Sequence, residues 1–255
     1  MQLTQNNYYS LEANQRYYSA SQIKSFLDCP ARTMAELSGE YTRPYSQALL
    51  VGSYVDAYFD GMDEFERFIS EHPEILKRDG SLKAEYVKAE EMILRAERDG
   101  FFMEYMQGEK QTIATGTIHG LPFKIKMDVY KKGIRIVDLK TTRDMEPMYK
   151  PEHGRVSFAE FWNYPLQMAI YQAVEGNKLP TYLAVVTKES PVDLAVIEIP
   201  QHHLDAEMEI LAEKLPYFDA IKSGIIEPPR CEKCAFCRET KKLTGAISLD
   251  DLIEL

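Results

Sequence analysis

The stretch "GIRIVDLKTT", residues 133–142, decides how this chain is read. Ile134, Ile136, Val137 and Leu139 give it the composition of a buried β-strand, opened by a glycine turn. Side chains alternate along a strand, so Asp138 and Lys140 project to the same face. A buried charge is costly unless it is paired or binds a metal. D-x-K taken alone reads equally well as a cross-strand ion pair in which Lys140 neutralises Asp138.

Working outward, the segment before it, "LPFKIKMDVY" (residues 121–130), is a second strand whose apolar core ends in Asp128. The "KKG" turn between the two strands makes them antiparallel neighbours, which brings Asp128 near Asp138. Two adjacent carboxylates repel unless a cation lies between them. Ligands that are all oxygen suit Mg²⁺ or Mn²⁺ better than zinc. A lysine two residues beyond the second acid would steady developing negative charge or hold a water.

The same periodicities organise the rest of the chain. "QTIATGTI" (111–118), joined through "HG", completes a three-strand meander, and "TYLAVVTK" (181–188) and "VDLAVIEIP" (192–200) are two further strands. Residues 1–18 read as an irregular arm. "SASQIKSFLDCPARTMAEL" is a helix entered at Ser19 or Ser21 and broken by Pro30. "SQALLVGSYVDAYFDG" is another helix, stopped by Gly61, and residues 62–108 are a helical insertion. Residues 157–175 are helical, and residues 201–224 form a long amphipathic helix interrupted near Pro216. A cysteine-containing segment follows at 225–245, then a tail that ends acidic. One domain spanning 1–255 is the simplest organisation, and the class is α/β.

Composition narrows the function. Hydrophobic and charged fractions of 45% and 27% are those of a globular protein, and no apolar run is long enough to span a membrane. The opening "MQLTQNNYYSLEANQ" has neither the basic start nor the apolar core of a signal peptide, so the expectation is a cytoplasmic protein without membrane partners. The net charge of −10 argues against a general nucleic-acid binder. Residues 122–143 depart from it, with seven bases (Lys124, Lys126, Lys131, Lys132, Arg135, Lys140 and Arg143) against two acids. They are read as a basic groove, with the acid-rich residues 60–110 facing away.

Three of the four cysteines lie in "CEKCAFC", as Cys231, Cys234 and Cys237; the fourth is Cys29. In a reducing compartment this pattern favours a metal centre over disulfides. Tight C-x2-C-x2-C spacing with a distant fourth ligand matches an iron–sulfur run, whereas structural zinc more often uses separated pairs. A [4Fe–4S] cluster, a zinc ion and unoccupied thiols all remain open, the cluster being favoured. Two other features carry chemistry. Gln167 and Tyr171 in "QMAIY" share a helix face at i and i+4, and Asp56 sits in an otherwise apolar helix, as a hydrogen-bonded core acid or a third metal ligand.

Six motifs in order, "SASQIKSFLDCP", "VGSYVDAYFDG", "FKIKMD", "DLK", "QMAIY" and the C-terminal cysteines, make the chain resemble the PD-(D/E)XK nuclease superfamily. Its RecB-like branch, with phage and prophage RecE-type exonucleases, is the part it resembles. The resemblance implies a restriction-endonuclease-like core, a central mixed β-sheet flanked by helices, with the helical insertion added. It implies that Asp128 and Asp138 bind Mg²⁺ or Mn²⁺, with Asp56 where relatives carry histidine or glutamate, and that Lys140 orients the attacking water. Gln167 and Tyr171 would lie along the DNA, with Lys124 and Lys126 beside them. Cys29 would join Cys231, Cys234 and Cys237 in the cluster, although their spacing is tighter than in the commoner relatives. The implied activity is a DNA exonuclease acting on duplex ends to leave single strands, in phage-type recombination, with a strand-annealing protein as partner and a homo-oligomeric ring as assembly. Two other readings compete: a non-catalytic metal-cluster DNA-binding module, and an endonuclease of restriction or CRISPR-adaptation type.

Overall fold

The computed structural model describes residues 1–249 other than 45, 152 and 247; the acidic end of the tail lies outside the described residues. Ser10 caps a first short helix, α1 (Leu11–Arg16). Ser19 caps α2 (Ala20–Asp28), whose end at Cys29 is also the start of α3 (Pro30–Ser38). Pro30 thus does what its missing N–H dictates: it opens a helix at a position where no donor is needed. α4 (Gln47–Asp60) stops at Gly61 with φ of 134°, and α5 (Met62–Glu71), α6 (Ala84–Glu97) and α7 (Gly100–Tyr105) follow.

The strands then begin: β1 (Glu109–Ile118), β2 (Leu121–Lys131) and β3 (Arg135–Thr142), followed by a small hairpin of β4 (Met148–Lys150) and β5 (Gly154–Val156). A Ser157–Glu160 capping box opens α8 (Phe158–Phe161), and Asn163 at φ 52° turns the chain into α9 (Tyr164–Glu175). β6 (Thr181–Thr187), β7 (Leu194–Ile199), α10 (Gln201–Lys222) and α11 (Ala235–Glu239) complete the order. The main sheet runs β1-β2-β3-β6-β7, with β3 and β6 parallel and the other neighbours antiparallel. It is the mixed sheet flanked by helices that the sequence implied.

Both faces of β3 are covered, which explains its near-continuous apolar run. Ile136, with Leu183 and Val185 of β6, packs beneath α2, α9 and α10. Val137 and Leu139, with Ala184 and Val186, pack against α4 to α7 on the other side. Strand β2 breaks this rule. Met127 belongs to the first core and Val129, two residues on, to the second. The change of face occurs at Asp128, opposite Gln111, a non-glycine residue at φ 49°.

Four expectations need correction. Residues 1–18 are not an irregular arm: they contain α1, they bury Tyr8, Ala13 and Tyr18, and Tyr18 exchanges main-chain hydrogen bonds with Pro122 and Lys124. Helix α10 runs through Pro216 without a stop, because Leu211, Leu215, Phe218 and Ile221 continue one buried stripe across it. Ile134 lies in the turn before β3 and is exposed. The basic segment is not a continuous groove, since Lys124 and Arg135 are buried, the Arg135 guanidinium lying 4.3 Å from the Tyr105 ring centre.

Candidate active site and metal centre

Where β2 and β3 part, the sheet opens. Their ladder holds only from Val129↔Val137 to Lys131↔Arg135. The next pair in that register is Asp128 and Asp138. There the Asp128 carboxylate itself accepts the Leu139 N–H through Oδ2 at 2.9 Å. Its other oxygen accepts from Gln111 Nε2 at 3.3 Å, and the same amide donates to Asp60 at 3.0 Å. Asp138 is 1% exposed; its Oδ2 meets the Lys140 ammonium, and its Oδ1 accepts Gln167 Nε2 at 2.7 Å.

Helix α4 brings Asp56 to the same place. Asp56, Asp128, Asp138 and Lys140 line one cavity of about 420 Å³. Burial pushes the Asp56 carboxyl up to about 7, with Asp60 and Asp138 adding to the rise and Lys140 opposing it. Burial, then Asp138 and Asp56, push Asp128 well above the carboxylate range. Burial alone would lower Lys140, but Asp138 and Asp128 outweigh it and hold the ammonium above the ordinary lysine value. Three acids facing one lysine leave negative charge that protonation or a further cation must balance.

Gln167 holds this cluster from above. Its Nε2 also reaches the Tyr171 hydroxyl at 3.1 Å, and its Oε1 accepts from Lys24 Nζ at 2.9 Å. Lys24 therefore fixes which end of the amide faces Asp138. Burial brings the Lys24 ammonium down to about 7, helped by the repulsion of Lys140. A second cavity, of about 620 Å³, opens on the far side of Lys140 and shares Ser53, Asp56, Leu139 and Lys140 with the first.

The four cysteine sulfurs lie within 4.8 Å of one another, at the α2–α3 junction and the start of α11. Cys29 and Cys237 are 3.6 Å apart, and Cys231 and Cys237 are 3.9 Å apart. Main-chain N–H groups of Arg32, Cys234 and Cys237 point at the sulfurs of Cys29, Cys231 and Cys234. Such donors stabilise thiolates.

This architecture has known counterparts. Residues 19–240 match a family described as a PDDEXK-like domain of unknown function (DUF3799). The crystal structure of a candidate exonuclease from Eubacterium rectale superposes with a TM-score of 0.95 at 40% identity, over 99% of this chain and 98% of that one. The chain belongs to the PDDEXK-like family. Another solved structure, SSO0001, aligns at only 15% identity and a TM-score of 0.32 over 77% of this chain and 96% of that one. No curated protein matches the chain.

In this PDDEXK-like chain, Asp56, Asp128, Asp138, Lys140, Gln167 and Tyr171 share one cavity, and Lys126 stands at its wall. Lys124 does not join them. It is 1% exposed, and its ammonium is held by Asn14 Oδ1 at 2.7 Å and by the Tyr8 carbonyl. Asp60 and Glu64 line the cavity, so the acid-rich segment does not face away as a block. Lys24 and Gln111 were missed. Lys24 reads as one polar position of an amphipathic helix, and nothing in the sequence of β1 marks Gln111 for a left-handed backbone.

Proposed function

We propose that this PDDEXK-like chain is a divalent-metal-dependent nuclease that hydrolyses DNA from its ends, residues 1–255 acting as one unit. The observation that carries the reading is the meeting of Asp56, Asp128, Asp138 and Lys140 on one cavity wall. Support for DNA ends comes from the name of the Eubacterium rectale relative, a candidate exonuclease. An endonuclease would use the same cluster. A non-catalytic DNA-binding module would not need three acids and a lysine gathered in one cavity. A strand-annealing partner, a ring assembly and a place in phage recombination rest on the RecE-type resemblance alone.

The donor set fits Mg²⁺ or Mn²⁺, being carboxylate oxygen throughout. The acids are not gathered as tightly as the cysteine sulfurs, the only such group among the described residues. Instead two of them have protein donors: Lys140 and Gln167 on Asp138, Gln111 and Leu139 on Asp128. When bound, the ion supplies Lewis acidity and lowers the pKa of the attacking water. The chain's own residues do the rest. Gln167 keeps Asp138 turned into the cavity, and Lys140, freed from Asp138, orients the water and offsets charge on the phosphate oxygens. The water gives up a proton to solvent as its oxygen bonds to phosphorus, the phosphorus–oxygen bond to the leaving sugar breaks, and the sugar oxygen takes up a proton from solvent.

The cysteines form a separate, structural metal centre in this reading. Two thiolates at about 2.3 Å from one tetrahedral ion stand about 3.8 Å apart, close to the 3.6 and 3.9 Å seen here. A [4Fe–4S] cluster seats its thiolates on separate irons and spreads them further. These two distances, with all four sulfurs within 4.8 Å of one another, support a single zinc in place of the iron–sulfur cluster that the cysteine spacing in the sequence favours.

The test is cleavage of linear against covalently closed circular DNA with Mg²⁺ or Mn²⁺. The parent degrades the linear form and spares the circle. Asp138→Asn and Lys140→Ala lose activity by about 100-fold or more. Variants as active as the parent reject the site, and a cut circle replaces the exonuclease by an endonuclease.

A further inference from the structure

The two cavities that meet at Lys140 differ in character. The first is walled by carboxylates, lysines and serines. The second carries more apolar surface, from Leu49, Met148, Trp162 and Tyr164, alongside the charged Asp56, Asp144, Arg143 and Lys188. Leu49 is 56% exposed and Trp162 48% exposed, and both face this one space. Met148 and Tyr164 pack against the edge of the first core, whereas Leu49 and Trp162 stand exposed beside them, within reach of the cluster that the nuclease reading uses.

Trp162 is held ready in this position. It ends α8, its ring lies edge-on to Phe161 at 5.0 Å, and Asn163, with a left-handed backbone, follows it. Lys150 braces that residue by donating to Asn163 Oδ1 at 3.0 Å. On the inner side, the Tyr164 ring lies 5.1 Å from the Lys140 ammonium. The space beyond Lys140 thus offers aromatic rings, aliphatic side chains and the cations Arg143 and Lys188.

We propose that this second cavity is a slot for one unpaired nucleobase of the strand whose phosphate lies at Lys140, with the Trp162 indole as stacking platform. The proposal rests on the nuclease reading and adds its substrate class: a single strand, or the frayed end of a duplex. A base inside a duplex is stacked on both faces and cannot enter a slot, whereas an unpaired base stacks on an aromatic side chain whatever its identity. Lys188, and Arg143 once a phosphate displaces its ion-pair partner Asp144, would meet the adjoining phosphates. The slot is accordingly indifferent to sequence and selective for strandedness.

Trp162 is the single tryptophan of the chain, so its fluorescence reports the slot directly. The wild-type protein is titrated, with Ca²⁺ replacing Mg²⁺ to hold off cleavage, with a single-stranded oligonucleotide and with a series carrying one abasic residue at successive positions. The expected result is quenching by the intact strand and its loss at one abasic position. By anisotropy of a labelled strand, Trp162→Ala binds about tenfold more weakly, a difference of about 1.4 kcal/mol, and Trp162→Phe recovers most of it. Leu49→Asp, which fills the slot with charge and leaves the indole in place, abolishes the quenching. Equal quenching by every abasic strand, or unchanged affinity in Trp162→Ala, overturns the slot. Wild-type cleavage without quenching also overturns it and leaves the nuclease reading intact. Base-dependent quenching by a wild type that cuts no DNA with Mg²⁺ or Mn²⁺ upholds the slot and overturns the nuclease reading.

Discussion

The Asp128 carboxylate accepts the main-chain N–H of Leu139 at 2.9 Å, so a side chain of β2 closes the bond that the β2–β3 ladder leaves open. One residue thereby has two separable duties, satisfying a half-buried donor and presenting an acid to the cavity. Asp128→Ala leaves the N–H unpaired and lowers stability by about 1–3 kcal/mol. Asp128→Asn retains an acceptor and is the more stable of the two variants. Both variants lose cleavage. Denaturant melts beside the nuclease assay check the split; equal destabilisation by the two substitutions overturns it.

Asp56 gives a pH-dependent prediction with a defined sign. Its carboxyl is pushed up to about 7 in the folded protein, chiefly by burial. The folded state therefore holds a proton that the unfolded chain releases from about pH 4 upward. Asp56 makes no difference to stability below that pH, and the metal-free protein loses stability as the pH rises from about 4 to about 7. Above 7 the loss is complete. Asp56→Asn removes this loss, so its advantage in melting temperature grows across the same window and then stays constant. Mg²⁺ or Mn²⁺ at pH 8 raises the melting temperature of the parent more than that of Asp56→Asn. Thermal melts across pH, with and without the ion, check both; an advantage independent of pH refutes the assignment.

The parts of the site that could be read from sequence are those fixed by local rules. Alternation placed Asp138 and Lys140 on one face of β3, and the turn at residues 132–134 made β2 its neighbour, so that the two acids meet. What could not be read depends on contacts between distant segments. Lys124 alternates with Phe123 and Ile125 as an outward residue should, yet Tyr8 and Asn14, more than 100 residues earlier, cover it. The change of face at Asp128 lies opposite a left-handed glutamine, which has no local signature. Lys24 gains its role only by meeting Gln167 across 143 positions of chain.

Cys29 and Cys231 are separated by about 200 residues, so a metal that joins them closes nearly the whole chain into a loop. By analogy with a disulfide, such a link contributes on the order of 5 kcal/mol. Strong chelation, or Cys29→Ser, lowers the melting temperature and releases the metal. Elemental analysis is expected to give one zinc per chain, with a colourless protein. A brown protein holding about four irons and sulfide refutes the single-ion reading.

Lys124 distinguishes a structural ammonium from one that meets nucleic acid. It ties β2 to residues 8–14 by two hydrogen bonds and lies 4.5 Å from the Tyr8 ring centre, while Lys126 is partly exposed beside Tyr9 at the cavity wall. Lys124→Met leaves the Tyr8 carbonyl and the Asn14 amide oxygen without their donor, at a cost of about 1–3 kcal/mol. The N-terminal segment loosens as a result, so limited proteolysis near residues 1–18 is faster than in the parent. Affinity for single-stranded DNA, measured under conditions where the variant is folded, is unchanged. Lys126→Met shows the opposite pattern, near-parental stability with weaker and less salt-dependent binding, since one fewer cation displaces counterions from the phosphates. A loss of affinity in Lys124→Met equal to that in Lys126→Met would return Lys124 to the binding surface.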